Sequence, residues 1–255
     1  MPLPSLRRPL VLLAVGLAAV AAALGVAHAT GLLLDDSARP ALVGDVVERY
    51  RSSPHTAAGL SGVYLYATRG SESIDALGGA LHRYPARTAI TVRPVSCGLS
   101  LRWQPLAERV TTWTLCMRGS MIELRAIDQL HRFFGQDDHT RYACTGGVIV
   151  PGTAGGAASA FGCRAGAGRE AISVRRLGVA AVTVAGRRLE AAHVKTVARV
   201  GGENRGSETI EWWLDGRGLP LRIVLRSRTS RHVFLGTVNY REDAELQLLS
   251  TTPRR

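Results

Sequence analysis

Lysine is almost missing from this chain. Lys195 is the only one among 32 basic residues, so the net charge of +12 is carried by arginine. An arginine-only balance beside abundant glycine and alanine reads as a high-GC coding bias. Together with the export features below, it argues against nucleic acid as a partner. The basic charge still suits anionic lipid headgroups or acidic glycans at a cell surface. Aromatic residues are also scarce, at 5%.

The motifs of common chemistry are missing too. No two cysteines stand close enough for a structural zinc site, which uses C-x₂₋₄-C pairs. No G-x-S-x-G elbow is present, and Gly59-Leu60-Ser61-Gly62 lacks its spacing. The glycine-rich stretch from Gly146 to Gly168 has no phosphate-loop pattern and reads as a surface loop. Asp137-Asp138-His139 is the one tight acid–histidine cluster, between Gly135 and Thr140, and reads as a solvated turn rather than a calcium site. Asp45 and Glu48 read as exposed helix charges, not a glycosidase pair. We therefore expect no catalytic residue, no metal and no cofactor, and a protein that is not an enzyme.

What is present begins with Arg7 and Arg8, followed by no charged side chain from Pro9 to Leu34. Ala27-His28-Ala29 offers small residues for cleavage before Thr30. Residues 1–29 thus read as a secretory signal peptide. The 19 residues from Pro9 to Ala27 also approach the roughly 20 that span a bilayer, so an uncleaved transmembrane anchor is the alternative. Arg7 and Arg8 before the run, and Asp35 and Asp36 after it, orient either form with the N-terminus inside. The protein is expected to be extracytoplasmic, secreted or tethered to the cell membrane. Without Arg7 and Arg8, 30 basic side chains face 20 acidic ones. Residues 30–40 read as a linker, and 41–255 as one β-rich domain of a size that can bury a core.

Ala41–Ser52 reads as a helix, with Leu42, Val43, Val46, Val47 and Tyr50 on one face and an Asp45–Arg49 pair on the other. From Gly62 onward the pattern has period two, with turns at Arg118-Gly119-Ser120, Ala185-Gly186-Arg187 and Asp215-Gly216-Arg217-Gly218. The expected fold is mainly β: a curved antiparallel meander forming an unclosed barrel, with the amphipathic helix packed on it. An Asp215–Gly218 turn pairs Leu214 with Leu219, Trp212 with Leu221, Ile210 with Ile223, and Glu211 with Arg222 on the opposite face. Arg222, Arg226 and Arg228 then share one side of a strand, read as a solvated face paired to Glu208 and Glu211. Trp213 falls opposite Pro220; an exposed indole there would suit ligand or membrane contact.

Cys97 and Cys116 are 19 apart in sequence, and so are Cys144 and Cys163. In an exported chain four thiols read as two disulfides. Three connectivities are open, and sequential pairing is the expectation. Cys97 would face Cys116 across a hairpin turning near Pro105, and Cys144 would face Cys163 across one centred near Gly152-Thr153-Ala154.

The stretch Trp212-Trp213-Leu214-Asp215-Gly216-Arg217-Gly218-Leu219-Pro220-Leu221-Arg222 is similar to the "W-L-D…G-L-P-L-R" hairpin of the periplasmic lipoprotein-carrier (LolA-like) superfamily and its sigma-factor-regulator relatives. The order of export segment, helix and long meander resembles that superfamily as well. The chain also resembles secreted proteins of unassigned function from high-GC bacteria. The cysteine pairs and the glycine-rich loop depart from the carrier pattern. The resemblance implies a concave β face binding a lipid, an acyl chain or an apolar peptide without covalent chemistry. On it, the apolar wall would include Leu99, Leu101, Ile210, Trp212, Leu221 and Ile223, which otherwise are ordinary core. The alternative is a membrane-anchored interaction or sensor module of the cell envelope, using Trp213 and the arginine row.

Overall fold

The computed structural model of the chain describes residues 38–54, 59–76, 79–150, 158–233 and 236–255. The expected export or anchor segment, the linker up to residue 37 and the centre of the second cysteine hairpin lie outside the described residues. Among the described residues, no helix is long and apolar enough to cross a membrane.

Among the described residues one helix, α1 (Val43–Ser52), precedes fourteen strands. Asp45 sits in its first turn and Arg49 and Arg51 in its last, which complements the helix dipole. Val46, Val47 and Tyr50 are buried with Ala41, Val63 and Ala89 in a small cluster of their own. The expected stripe is one residue too wide, because Leu42 precedes the helix and is exposed. Arg49 turns to Gln104 Oε1, at 3.2 Å, rather than to Asp45.

The strands are β1 (Gly62–Ile74), β2 (Ala80–Arg83), β3 (Arg87–Val95), β4 (Gly98–Trp103), β5 (Arg109–Arg118), β6 (Met121–Phe133), β7 (Gln136–Thr145), β8 (Val148–Val150), β9 (Ala158–Ala165), β10 (Gly168–Val184), β11 (Arg187–Gly201), β12 (Asn204–Leu214), β13 (Pro220–Val233) and β14 (Gly236–Leu248). Neighbours run in chain order, all antiparallel, with β8 set beside β6 and β2 beside the end of β1. The barrel expected to stay unclosed is a ring: β14 pairs with β1 from Tyr66–Leu248 to Ile74–Tyr240. Gly70 makes this closure sterically accessible, because a Cβ there would overlap the carbonyl of Asp243 on β14. Its φ of 143° is also one that side-chain-bearing residues rarely adopt.

Period-two patterning buries one face of each strand inside the ring. Tyr66, Ile90, Leu101, Trp113, Leu115, Val194, Trp212, Ile223 and Leu246 belong to one large core. Trp113 from β5 meets Trp212 from β12 edge to face at 5.1 Å, so opposite walls touch and the middle of the ring is filled. Helix α1 lies on the outer face of β1 and β3, where Val63 and Ala89 point.

Two expected registers shift. Across β12 and β13, Trp212 pairs with Ile223, Ile210 with Leu225 and Trp213 with Arg222. The cause is local. Asp215 accepts backbone N–H bonds from Arg217 and Leu219 through its side chain, which lengthens the loop, and a bulge follows Trp213. The two-residue shift keeps the apolar set inside. In β4 and β5, Leu99 pairs with Leu115 and Leu101 with Trp113, one residue away from the expected register. Cys97 occupies the turn between β3 and β4 instead of facing Cys116 within the ladder, so Thr111, Trp113 and Leu115 stand opposite Trp103, Leu101 and Leu99.

Both disulfides pair as expected, Cys97 with Cys116 and Cys144 with Cys163. Cys144 and Cys163 are direct partners in the register. That β7–β9 contact spans only Ala143–Thr145 against Gly162–Arg164, because β8 leaves to pair with β6. The second disulfide therefore clamps the shortest seam between consecutive walls of the ring. Replacing Cys144 and Cys163 together by alanine is expected to lower unfolding free energy by about 3 kcal/mol on loop entropy. Urea denaturation of the oxidised protein measures it, and a loss below about 1 kcal/mol would show that the seam does not need its staple.

Candidate functional site

One end of the ring carries the turns β6–β7, β9–β10, β11–β12 and β13–β14, and toward this end the inward-facing residues change from apolar to charged. Glu72 of β1 and Glu242 of β14 are direct register partners across the closing seam, and both are fully buried. Two like charges directly opposite destabilise a sheet. Arg109, the first residue of β5 and itself 0% exposed, reaches across the interior to them. Its Nε donates to Glu242 Oε1 at 3.2 Å and its Nη2 to Glu242 Oε2 at 2.8 Å, a bidentate pair. Arg109 Nε also lies 3.7 Å from Glu72 Oε2. Nη1 is spent on the Val110 carbonyl and the Thr111 hydroxyl.

Hydroxyl and imidazole groups complete this network. Tyr84 donates to Glu242 at 2.6 Å, and the Tyr240 hydroxyl lies 3.0 Å from Glu72 and 2.9 Å from Glu242. The Nδ1 atoms of His82 and His131 lie 3.1 and 3.3 Å from the Glu72 carboxylate. His131 is the β6 residue opposite Arg109 in register, and His82 stacks on Phe133 at 4.5 Å. Burial raises the Glu72 pKa, but hydrogen bonds from His131 and His82 and the Arg109 charge outweigh it and bring the group down to about 2.

A second pair of glutamates behaves in the opposite way. Glu170 of β10 and Glu208 of β12 also point inward, and β11 between them presents Ala198 and Val200. Glu170 is 5% exposed and its Oε2 has no hydrogen-bond partner. Burial lifts Glu170 to about 7. Burial, with the charges of Glu170 and Glu242 added, lifts Glu208 to about 8 against the pull of Arg109 and a hydrogen bond from Gln129. Tyr142, buried beside both acids, is raised to about 12.

These carboxyls form the floor of a cavity of about 460 Å³ that opens at the charged end. Its walls alternate apolar side chains, Ile74, Phe133, Val200, Val233 and Val238, with Gln129, Tyr142, Ser227, Thr229 and Tyr240. Beneath the floor lies a void of about 10 Å³, against Trp113, Thr196, Ile210 and Trp212. The ring is thus packed solid at its middle and hollow at one end.

The six residues expected to form an apolar wall, Leu99, Leu101, Ile210, Trp212, Leu221 and Ile223, all face the interior and are buried in the core. Ile210 and Trp212 border the small void, and none of the six lines the larger cavity. The cavity lies further along the same inner face, at Glu208 on β12 and at Ser227 and Thr229 on β13. Trp213 is covered: His193 stacks on it at 4.1 Å and the Arg222 guanidinium lies 4.8 Å from its ring. The arginine row pairs with β14 rather than with Glu208 and Glu211. Arg222 meets Glu245, and Arg226 and Arg228 meet Asp243. Glu211 instead meets Lys195 and His193, while Glu208 points inside. Asp137, Asp138 and His139 lie on β7, not in a turn, with Asp137 held by Arg132 and His139 by Asp128.

Sequence reading missed Glu72, Arg109, Glu170 and Glu242, and placed Glu208 on the solvated face. The available signal was parity: Glu208 shares its face with Ile210 and Trp212, and Glu242 with Ala244 and Leu246. Among the described residues no group of three or more His, Cys, Asp or Glu is placed to hold a metal ion. Compared with family models, with curated proteins and with solved structures, the chain finds no match in any of the three.

Arg109→Met is expected to destabilise by about 3–5 kcal/mol, since it strands two facing carboxylates. Adding Glu242→Gln to that variant should recover part of the loss in a double-mutant cycle followed by urea denaturation; full additivity would mean the two do not interact. The pH response separates the two glutamate pairs. Below the ordinary value of 4.5, Glu170 and Glu208 are protonated folded and unfolded, so no stability is lost through them. Between 4.5 and about 7 to 8 the folded state keeps protons that the unfolded chain has released, so stability falls as pH rises. Glu72 has the reverse sign: its contribution is present above 4.5 and is lost as pH falls toward about 2. Urea midpoints measured across the pH range should fall less steeply above 4.5 in Glu170→Gln/Glu208→Gln than in the wild type; parallel curves would contradict the assignment.

Proposed function

We propose that this chain is a non-enzymatic extracytoplasmic binding protein that holds a small ligand with an apolar body in the cavity at the open end of the ring. The observation that carries the reading is the cavity itself. Its volume, about 460 Å³, falls in the range of small-molecule sites, and its lining is apolar with a few convergent polar groups. The filled middle of the ring gives such a ligand a floor, and the open charged end gives it a way in.

A lipid, an acyl chain or an apolar peptide segment is the ligand class, and the cell membrane is the source or destination of such a molecule. Kinship with the lipoprotein-carrier superfamily belongs to the same proposal and is supported by the Trp212–Arg222 hairpin. The two disulfides fit an oxidising, extracytoplasmic compartment. The apolar segment before residue 30 would supply export or a tether.

Native mass spectrometry of the protein purified gently from its own host tests the reading. A co-purifying small molecule is expected on the wild type. It should fall at least about tenfold in occupancy in Thr229→Trp, whose indole would fill the cavity. A ligand-free wild type carrying a bound protein instead would overturn the proposal and favour an anchored interaction module.

A further inference from the structure

We infer that the ligand carries a protonated amine, which seats between the carboxyl groups of Glu170 and Glu208 on the cavity floor. The inference rests on the proposed reading of the cavity as a ligand site and names the chemistry of the ligand's polar end.

Among the described residues neither of these two carboxyls has an ion-pair partner, and Glu208 feels only the more distant charge of Arg109. They stand on β10 and β12, and at their level β11 between them presents Ala198 and Val200. Arg109 is occupied by Glu242, the Val110 carbonyl and Thr111. Arg231 at the mouth is paired with Glu203, and Arg132 with Asp137. Glu170 Oε2 is left buried with no partner while the residue lines the cavity. A buried polar atom without a partner is costly, and a bound donor would relieve that cost.

Sign and shape narrow the donor. The chain is strongly basic, yet of the five carboxylate residues lining this cavity only Asp137 and Glu242 are paired with arginines, Arg132 and Arg109, which leaves Asp138, Glu170 and Glu208 beside His131 and an Arg231 already held by Glu203. An anionic head would meet the wrong charge. A metal ion would need a third protein ligand, and among the described residues no such group exists. A primary ammonium has three N–H donors and no acceptor, which suits the two carboxyls once they give up their protons and the carbonyl oxygen of Gln129, whose amide donates to Glu208. Val200, Val233 and Val238 then receive the apolar body.

Calorimetry on the purified exported protein tests this with three probes of one chain length, n-octylammonium, n-octanol and n-octanoate, at about pH 9, where carboxyls of this kind are ionised. Octylammonium is expected to bind at least about tenfold tighter than octanol, and octanoate weakest of the three. Glu170→Gln and Glu208→Gln should each weaken octylammonium by about tenfold, with folding checked by circular dichroism. Octanol binding as tightly as octylammonium, or octylammonium unaffected in both folded variants, overturns the amine and leaves the cavity reading standing. No binding by any of the three overturns both.

Discussion

The ring depends on Arg109. Closure brings β1 against β14, and the register of that seam sets Glu72 directly opposite Glu242 on the buried face. Two carboxylates facing each other away from water would push the seam apart. One guanidinium from β5, across the interior, supplies the countercharge, and its planar fork takes both oxygens of Glu242 while lying beside Glu72. Gly70, two residues before Glu72 on the same inward parity, lets the strands come close enough to meet. Steric permission and charge compensation act on adjacent inward positions of one strand pair. The ring closes there and not at some other edge.

The same residue type behaves in two ways on one inner surface, and the distance to a cation decides which. Glu72 has Arg109, His82 and His131 and is held ionised at low pH. Glu170 has burial alone, Glu208 has burial with the charges of Glu170 and Glu242 added, and both keep their protons into the neutral range. One arginine can neutralise one glutamate pair. The outer face carries many more, including Arg164, Arg169, Arg175, Arg199, Arg226 and Arg241, all exposed. An apolar interior inside an arginine-studded exterior is the reverse of a membrane-spanning barrel, whose outward band is apolar.

The disulfide pairing, most strands and the turns at Gly119, Gly186 and Gly216 were legible in the sequence because each rests on local chemistry, whereas β7 was read as a turn at Asp137–His139 and β8 and β9 fall in the glycine-rich stretch read as a surface loop. Period-two alternation placed Ile210, Trp212, Leu221 and Ile223 inside, and the structure puts them there. Register was less legible. The Asp215 side chain bonds two backbone N–H groups and enlarges its loop, and Cys97 sits in a turn rather than a ladder. Neither effect leaves a mark on hydrophobic alternation. Closure was illegible because β1 and β14 are nearly the whole domain apart in sequence. The buried charges were half legible: inward parity was readable at Glu208, but its lack of a cation depends on where Arg109, three strands from the seam, happens to reach.

Parity also explains why the expected apolar wall and the cavity fall at different heights on the same strands. Inward residues of β12 run Leu214, Trp212, Ile210, Glu208, and those of β13 run Leu221, Ile223, Leu225, Ser227, Thr229. Large apolar side chains give way to a carboxyl and two hydroxyls in the same direction. Where Trp113 meets Trp212 the walls fill the space between them. Beyond Ile210 the side chains are shorter or charged, and no core residue spans the gap. A fold selected only for stability would continue the apolar run and dispense with Glu170 and Glu208, whose ionisation opposes folding above the ordinary carboxylate range. Keeping two uncompensated acids at the floor of this cavity makes sense if something that enters from outside supplies their countercharge.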